Sequence, residues 1–279
     1  MGNLKLKIDE IELTVNPFQF TEIWNFIASG KWEPESFKVF KRFIKESDVV
    51  IDIGSWAGPL TIYAAHLSSF VHSIDPDPVI FNQLLHNVSL NPQVSDKIKC
   101  HNLAIWKDSS TQILFSRNVF GDSASSLIQR TRDKNNQAAI QTISFEKFIE
   151  KEKIEKVDFI KVDIEGGEFF ILPSLTDKLE QLGLPILFIS FHTEYLNEYF
   201  FQKTFRIKLL SKILFKIFKG FRINIFSKRI TQIISNSIEP LKAYKYIYEP
   251  DKCLITSEAL IMKLGKYDTL SVLFSSEPW

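Results

Sequence analysis

The sequence has little of what marks a secreted, zinc-binding or membrane-spanning protein. Its two cysteines among 279 residues, Cys100 and Cys253, cannot build a disulfide framework and fit no zinc spacing, which favours a reducing compartment. No stretch approaches the roughly 18 uninterrupted apolar residues that a spanning helix needs. The amino terminus carries charges every few residues and has no apolar segment of the secretory type. We therefore predict a cytoplasmic protein, with any membrane contact limited to its surface.

A strong charge of one sign is also missing. Thirty-four Lys and Arg residues face 33 Asp and Glu residues, which leaves a formal net charge of +1. No global field therefore argues for a nucleic-acid partner, and we predict none. What is present, 45% hydrophobic and 24% charged residues, is typical of a globular chain.

Short β-branched runs alternate with amphipathic segments from about residue 48 onward, which is the pattern of a parallel sheet flanked by helices. The predicted strands are Val49–Ile53, Val71–Ile74, Ile98–Asn102, Phe159–Val162 and Ile186–Phe191. Two predicted helices, Leu60–Leu67 and Val79–Leu90, lie between the first strands. The sequence thus predicts an α/β fold whose ligands bind beyond the carboxyl ends of the strands.

Composition divides the chain into four predicted units. Residues 1–45 form a strand pair and an aromatic cap, 46–198 the α/β core, 199–240 a basic helical insertion, and 241–279 the terminal strands. The strand pair is predicted at Leu4–Ile8 and Ile11–Val15, and the last strands at Tyr244–Tyr248 and Leu270–Phe274.

A glycine loop, residues 52–58 (DIGSWAG), follows the first core strand and opens a helix, where backbone amides can approach a ligand. Trp56 stands where a pyrophosphate loop needs its second glycine, which disfavours NAD or FAD. Asp75, at the end of the second strand, is well placed for ribose hydroxyls. Ribose without pyrophosphate indicates an adenosyl sulfonium. The alternative is that Gly54 and Gly58 only make a tight turn and that Asp75 caps the next helix.

The segment 157–168 (VDFIKVDIEGGE) brings three carboxylates to the end of the fourth strand. Strand alternation places Lys161 and Asp163 on one face, and Glu165 follows in a flexible loop. Crowded like charges raise at least one pKa, which is the condition for a general base, a metal site or an ammonium-binding site. The alternative is that Glu165 and Glu168 only cap the following helix.

Five segments together resemble one enzyme family: DIGSWAG, SIDPDP, HNLAIWKD, the SASSL run at Ser123–Leu127 and, above all, FIKVDIEGGE. They resemble the FkbM family of S-adenosylmethionine-dependent methyltransferases over roughly residues 33 to 196. The resemblance implies a Rossmann-like class I methyltransferase fold, with a mostly parallel sheet of seven strands, the last antiparallel, and helices on both faces. It also implies S-adenosylmethionine as cofactor and methyl transfer to an oxygen. Many family members act on sugar hydroxyls in polysaccharide, glycolipid or antibiotic pathways.

The resemblance carries over to individual positions. Gly54 and Gly58 would cradle the methionine part, Asp75 would bind the ribose, and Asp163 would meet the amino group. The implied cofactor-binding residues are Asp52, Gly54, Ser55, Gly58, Asp75, Pro76, Asn102, Ala104 and Asp163. Lys161 and Glu165 would face the acceptor, and the segment 32–35 would close over the site. For the general base that a hydroxyl nucleophile needs, the candidates are Glu165 and His192.

Metal ligation is a weaker interpretation of the same residues. Asp163 and Glu165 could together hold a divalent ion, but we predict no metal site. His192 could instead be a packed histidine among aromatic residues. The remaining histidines have no metal spacing and are interpreted as structural: His66, His72, His86 and His101.

Residues 203–222 contain apolar side chains at helical spacing and a basic stripe opposite them. The stripe consists of Lys208, Lys212, Lys216 and Lys219. Such a helix can lie on an anionic membrane surface, which would suit a lipid-linked glycan acceptor, or it can pack its apolar stripe on the sheet. A second functional hypothesis follows: a degenerate methyltransferase fold, blocked by Trp56, that serves as a membrane-peripheral or partner-binding module.

Overall fold

A computed structural model describes residues 2–117, 119–129, 134–204 and 227–279. The strands are β1 Leu4–Ile8, β2 Ile11–Val15, β3 Val49–Ile53, β4 Phe70–Ile74, β5 Ile98–His101, β6 Ala104–Ile105, β7 Thr111–Phe115, β8 Gln137–Ile143, β9 Phe159–Val162, β10 Ile186–His192, β11 Tyr246–Tyr248 and β12 Thr269–Ser275. The helices are α1 Thr21–Ala28, α2 Pro34–Phe43, α3 Pro59–Leu67, α4 Pro78–Ser89, α5 Phe145–Glu152, α6 Glu168–Gln181, α7 Thr193–Thr204, α8 Ser227–Ile238 and α9 Ser257–Leu264.

Seven strands form the central sheet in the order β11-β12-β10-β9-β3-β4-β5. The five strands from β10 to β5 are parallel, and β12 runs antiparallel to both of its neighbours. This confirms the predicted Rossmann-like class I architecture. The predicted β3 and β9 have the bounds seen in the structure, and the other core strands agree to within one or two residues. The carboxyl ends of β3, β4, β9 and β10 consequently meet at one edge.

Helices cover both faces of the sheet because each strand carries apolar side chains on both sides. Phe148 of α5, Leu175 of α6 and Ile234 of α8 are buried in the cluster on one face. Phe40 of α2 and Leu84 of α4 are buried in the cluster on the other. Each such side chain stabilises the fold by about 1.5–3 kcal/mol through removal from water. The two clusters hold the strand ends, and therefore the loops that follow them, in place.

The amino-terminal cap is tied to the core by side-chain amides of α4. Asn87 accepts a hydrogen bond from the Asn16 amide at 2.8 Å, and Asn91 bonds both backbone groups of Thr14. The Trp24 ring of α1 is fully buried and stacks on Trp56 with ring centroids 5.3 Å apart. The predicted strand pair at β1 and β2 is confirmed.

A small sheet of order β6-β8-β7 is inserted between β5 and β9. None of its three strands was predicted from the sequence. Its loop after β7 returns through an isolated bridge between Phe115 and Ser126, which brings residues 121–127 to the carboxyl edge of the main sheet.

The predicted basic helix falls almost entirely on residues 205–226, outside the described residues, and its surface role stays a prediction. The four-unit division of the chain likewise stays a prediction. Among the described helices, none combines the length and the apolar character needed to cross a membrane.

Candidate active site

A cavity of about 1010 Å³, its open mouth included, lies at the carboxyl edge of the sheet. We call the part lined by Gly54, Ser55 and Asp75, after β3 and β4, the β4 end. The β10 end is the part lined by the charged residues Glu33, Lys161, Asp163, Glu165 and His192, which come from the cap and from β9 and β10.

Two glycines of the loop after β3 have left-handed backbones for different reasons. At Gly54 (φ +83°) an added Cβ would collide with the backbone oxygen of Asp163. At Gly58 (φ +87°) it would lie 2.7 Å from Cδ1 of Leu84. Gly54 lines the cavity, whereas Gly58 serves the close packing of the loop on α4. The cradle therefore stays a prediction: Gly54 lies on the cavity wall against the Asp163 backbone, and Gly58 packs on α4.

Trp56 forms a wall of the cavity and does not fill it. Its indole is 7% exposed and packs against the rings of Trp24 and Phe20. Its Nε1 donates a hydrogen bond of 3.0 Å to the Gly121 carbonyl. These contacts hold the indole toward the cap and the 121–127 segment. The indole therefore does not block the cavity as the scaffold hypothesis assumes.

Asp75 sits at the β4 end with its carboxylate held by backbone amides. Oδ2 accepts from the Trp56 amide and Oδ1 from the Asp77 amide, both at 2.9 Å. Burial raises the pKa of Asp75 to about 7, although these two amide bonds act in the opposite direction. The cap of α4 is Asp77, whose Oδ1 accepts from the amides of Val79 and Ile80. The alternative that Asp75 is the helix cap is therefore wrong.

Asp77 also anchors the segment that covers the β4 end. Its Oδ2 accepts hydrogen bonds from the Gly121 amide at 2.8 Å and from the Ser125 hydroxyl at 2.9 Å. The hydroxyl of Ser126 in turn donates to the Glu165 carbonyl at 2.7 Å. The SASSL run thus connects the loop after β4 with the loop after β9.

The β4 end has the features expected of a nucleoside site. Ser55 lines the cavity, and its buried hydroxyl has no hydrogen-bond partner among the described residues. An unpartnered buried hydroxyl is rare in a folded protein unless a ligand or a water satisfies it. Together with the Asp75 carboxylate, it fits the polar groups of S-adenosylmethionine.

The other predicted cofactor residues differ in how they relate to the cavity. Pro76 and Ala104 line it. Asn102 is exposed to solvent, and its side-chain amide donates to the Asp75 carbonyl at 3.0 Å. Asp52 is fully buried, with Oδ2 accepting a 2.6 Å hydrogen bond from Thr61 and Oδ1 lying 3.2 Å from Nζ of Lys161. Asp52 therefore supports the site from the core, whereas Asn102 stays a predicted ligand next to the Asp75 backbone.

Lys161 connects the two ends of the cavity. Its buried Nζ donates to the Gly54 carbonyl at 2.8 Å and lies 3.2 Å from Oδ1 of Asp52 and 3.6 Å from Oδ2 of Asp163. Burial lowers the pKa of Lys161, but the charges of Asp52, Asp163 and Glu33 outweigh burial and raise it. The ammonium is therefore charged at neutral pH, and its contacts are with the Gly54 carbonyl, Asp52 and Asp163.

His192 lies among three carboxylates at the β10 end. Its Nδ1 is 3.2 Å from Oε1 of Glu168, and its Nε2 is 3.7 Å from Asp163 and 4.0 Å from Glu165. Burial lowers the pKa of His192, but the hydrogen bond to Glu168 and the surrounding carboxylates prevail and raise it to about 10. The imidazole is therefore protonated at neutral pH.

Glu165 is one of two carboxyl groups at the β10 end, with Glu33, whose pKa is raised to about 7. Burial raises its pKa to about 7, against the opposing charge of His192 and a hydrogen bond from Tyr195. Its backbone is left-handed (φ +56°), and the next residue, Gly166, packs where a Cβ would lie 2.5 Å from Cβ of Tyr195. Such strained backbone concentrates at functional sites because the surrounding structure must enforce it.

Among the described residues, three groups have potential metal ligands that face one another. Asp163, Glu165 and His192 offer ligand atoms within 4.8 Å of each other, as do His72, His101 and Glu152, and, away from the cavity, Glu249, Asp251 and Cys253. The second group lies between β4, β5 and α5, where the two imidazoles stack and share a 3.1 Å hydrogen bond. No sequence spacing could have found it, because its members lie on three separate elements.

Two further carboxylates of the site were noted in the sequence without a role in it. Glu168, predicted only as one of three crowded acids or as a helix cap, is completely buried, with Oε1 accepting from the Ile164 amide at 2.9 Å as well as facing His192. Glu33, predicted only as part of the segment 32–35 that closes over the site, lines the cavity from the cap, 130 positions before Asp163. Their partners could not be predicted, because His192 and Asp163 lie on separate elements.

Comparisons with known proteins agree with this geometry. A model of the FkbM methyltransferase domain matches residues 49–220. The hexuronic acid methyltransferase AglP of Haloferax volcanii is 24% identical over 166 residues, which span 60% of this chain and 65% of that protein. A tRNA (guanine(37)-N(1))-methyltransferase of Ciona intestinalis is 42% identical over 86 residues, 30% of this chain and 17% of that protein. The chain thus spans less than two thirds of the length of either relative.

Among solved structures, methyltransferase FkbM from Methylobacillus flagellatus KT aligns over 90% of this chain and 52% of that chain, with a TM-score of 0.42 and 15% identity. The domain match is the stronger finding, because it covers more than half of the 279 residues and includes both the glycine loop and the β9 end. The chain therefore belongs to the FkbM methyltransferase family.

Proposed function

We propose that the protein transfers the methyl group of S-adenosylmethionine to a hydroxyl of a sugar or glycan-type acceptor. The observation that carries the proposal is the pairing, in one cavity, of a buried carboxylate at the β4 end with a carboxyl of near-neutral pKa at the β10 end. The first suits ribose recognition, and the second suits removal of a hydroxyl proton. The H. volcanii relative, named for a hexuronic acid, supports a sugar-type acceptor.

When bound, the cofactor supplies a methyl group on a positively charged sulfur. The β4 end would hold it through the Asp75 carboxylate, the Ser55 hydroxyl and the backbone at Gly54, and Asp163 would receive its ammonium group. Fixing two reactants in line contributes about 7–11 kcal/mol in favourable cases, so these residues act mainly by orientation.

Glu165 is the better of the two candidate bases. A base must be unprotonated at the working pH, and a pKa of about 7 leaves much of Glu165 ionised there. His192 with a pKa of about 10 is protonated and has no lone pair free to accept the proton. We assign His192, held by Glu168, to orienting Asp163 and Glu165 by its positive charge.

Calorimetric titration with S-adenosylhomocysteine tests the cofactor half of the proposal. Wild type binds, and Asp75→Ala loses on the order of 10- to 100-fold in affinity, because a charged hydrogen bond is worth about 1.5–3 kcal/mol. Asp96→Ala, at an exposed aspartate of the short helix Ser95–Lys97, is the matched control and binds as wild type does. Failure of the wild type to bind, or equal affinity in the Asp75 and Asp96 variants, contradicts the assignment.

A further inference from the structure

Glu33 occupies an unusual position over the β10 end. It precedes Pro34 at the start of α2 with a left-handed backbone (φ +42°, ψ +48°), a conformation that a non-glycine residue adopts at a cost. Its carboxylate is fixed by the Ser36 hydroxyl, which donates to Oε2 at 2.9 Å. Ser36 is itself buried. The cap therefore holds a carboxyl group at a defined place on the cavity wall.

Glu33 lies outside the matched domain of residues 49–220 but interacts electrostatically with its charged residues. Burial and the charge of Asp163 raise its pKa to about 7, and the charges of Lys161 and His192 act in the opposite direction. The chain thus adds, from its amino-terminal cap, a further acid to an end of the cavity that already contains Asp163 and Glu165.

The charges at the β10 end do not balance. The carboxyl groups in or directly behind its wall are Asp52, Glu33, Asp163, Glu165 and Glu168, and the cations are Lys161 and His192. Both cations are already engaged: Lys161 with Asp52 and the Gly54 carbonyl, His192 with Glu168. Among the described residues lining the cavity, no further lysine or arginine is available to receive an anionic substituent.

We propose that Glu33 is a specificity-determining residue of the acceptor site, and that the acceptor is an uncharged sugar bearing neither a carboxylate nor a phosphate. This inference rests on the proposed function and narrows it. Ionised or protonated, a carboxyl group can bond the hydroxyl next to the reacting one, so an uncharged polyol is accepted. A hexuronate would bring a further negative charge against these acids, and the described residues of the wall have no cation left to pair with it; like charges in an interface are strongly disfavoured.

The experiment compares matched acceptors that differ only at C6. p-Nitrophenyl hexosides of the gluco, galacto and manno series are each paired with the corresponding hexuronide. Transfer of labelled methyl from S-adenosylmethionine gives kcat/KM for both members of a pair. The full chain is used as wild type, Glu33→Gln and the control Glu35→Gln, whose side chain is 49% exposed and paired with Lys38 at 2.8 Å.

Wild type is expected to prefer the hexoside of the best pair by on the order of 100-fold, since each 1.4 kcal/mol of repulsion is a factor of ten. Glu33→Gln reduces this preference about tenfold by removing one charge, while affinity for S-adenosylhomocysteine stays at the wild-type value. Glu35→Gln leaves the preference unchanged. If Glu33→Gln lowers the melting temperature, Glu33→Asn replaces it, because Asn tolerates the left-handed backbone better.

The outcomes separate the two proposals. Preference for the hexuronide in wild type, or the same shift in the Glu33 and Glu35 variants, overturns the role of Glu33. Binding of S-adenosylhomocysteine without methylation of any hexoside overturns the acceptor class and leaves the cofactor site intact. Absence of S-adenosylhomocysteine binding overturns the proposed function itself.

Discussion

The two ends of the cavity give their carboxyl groups different neighbours. Burial raises the pKa of Asp75 at the β4 end, and of Glu33 and Glu165 at the β10 end, to about 7. At Asp75 two backbone amides oppose this shift. At the β10 end the charges of Asp163 and of the cations Lys161 and His192 modify it instead. The difference teaches that one cavity can hold one acid by fixed backbone dipoles and others by charged side chains whose own state can change.

Three histidines that are largely removed from water have pKa values shifted in opposite directions. Burial and the nearby His101 lower the pKa of His72 to about 4. Burial lowers the pKa of His101 to about 4 as well. His192 is also buried, yet its carboxylate neighbours raise its pKa to about 10. Burial alone favours the neutral imidazole, so the sign of the shift reports how many carboxylates are near. His192 therefore belongs to the charged cluster and the other two to the packed core.

The strongest way to break the comparison is to neutralise the proposed base. Glu165→Gln keeps the shape of the side chain but cannot accept a proton, so kcat falls about 10²–10⁴-fold. Affinity for S-adenosylhomocysteine should remain that of wild type, because Glu165 lies at the other end of the cavity. Methyl transfer and calorimetry measure the two quantities. Glu180→Gln, an exposed position on α6, is the control and should change neither.

The pH dependence of kcat is a second test of the Glu165→Gln variant. Because Glu165 must be ionised to act, wild-type kcat should rise with pH through about 7 and level off above it. Residual activity of Glu165→Gln should lack this rise. A wild-type profile that is flat between pH 5 and 8, or a rise that persists in the variant, would assign the base elsewhere.

The core of the fold could be predicted because its signals are local. β3 and β9 are short β-branched runs, and Pro59 and Pro78 each begin a helix directly after a loop. The inserted sheet of β6, β7 and β8 escaped prediction, because its strands are short or only partly buried and their pairing is set by distant residues. Strand identity there depends on tertiary contact more than on the sequence pattern.

For the site, the sequence predicted which residues lie at the strand ends, but not which residues hold them in place. Asp75, Asp163, Glu165 and His192 lie where parallel strands must place them. The hydrogen bond from Asn102 to the Asp75 carbonyl and the hydrogen bond from Ser36 that fixes the Glu33 carboxylate depend on how loops and cap pack. No spacing rule encodes such contacts, so the sequence named these residues without their partners.

The next prediction has a smaller effect and concerns Lys161, which contacts residues at both ends of the cavity. Lys161→Met leaves Asp52 buried without its cation and should lower the free energy of unfolding by about 3–5 kcal/mol. Asp52→Asn in the same chain should restore part of the loss, because no unpaired charge is then buried. Urea denaturation measures both. Lys147→Met, at an exposed position on α5, is the control, and a loss no larger than this control's would show that the buried pair contributes little.

The smallest expected effect tests whether the β4 end depends on the hydrogen bond between Asn102 and the Asp75 carbonyl. Asn102→Ala removes the hydrogen bond to the Asp75 carbonyl, and a neutral hydrogen bond contributes about 0.5–1.5 kcal/mol, so affinity for S-adenosylhomocysteine should fall roughly 2- to 12-fold. The control is Asn82→Ala, an exposed residue of α4 whose amide makes the same kind of bond, 3.0 Å to the Pro78 carbonyl. Equal loss in both variants would mean that Asn102 acts only on general stability. A loss confined to Asn102→Ala, with methyl transfer at saturating cofactor unchanged, would show that the β4 end is positioned by backbone contacts and that the β10 end is independent of them.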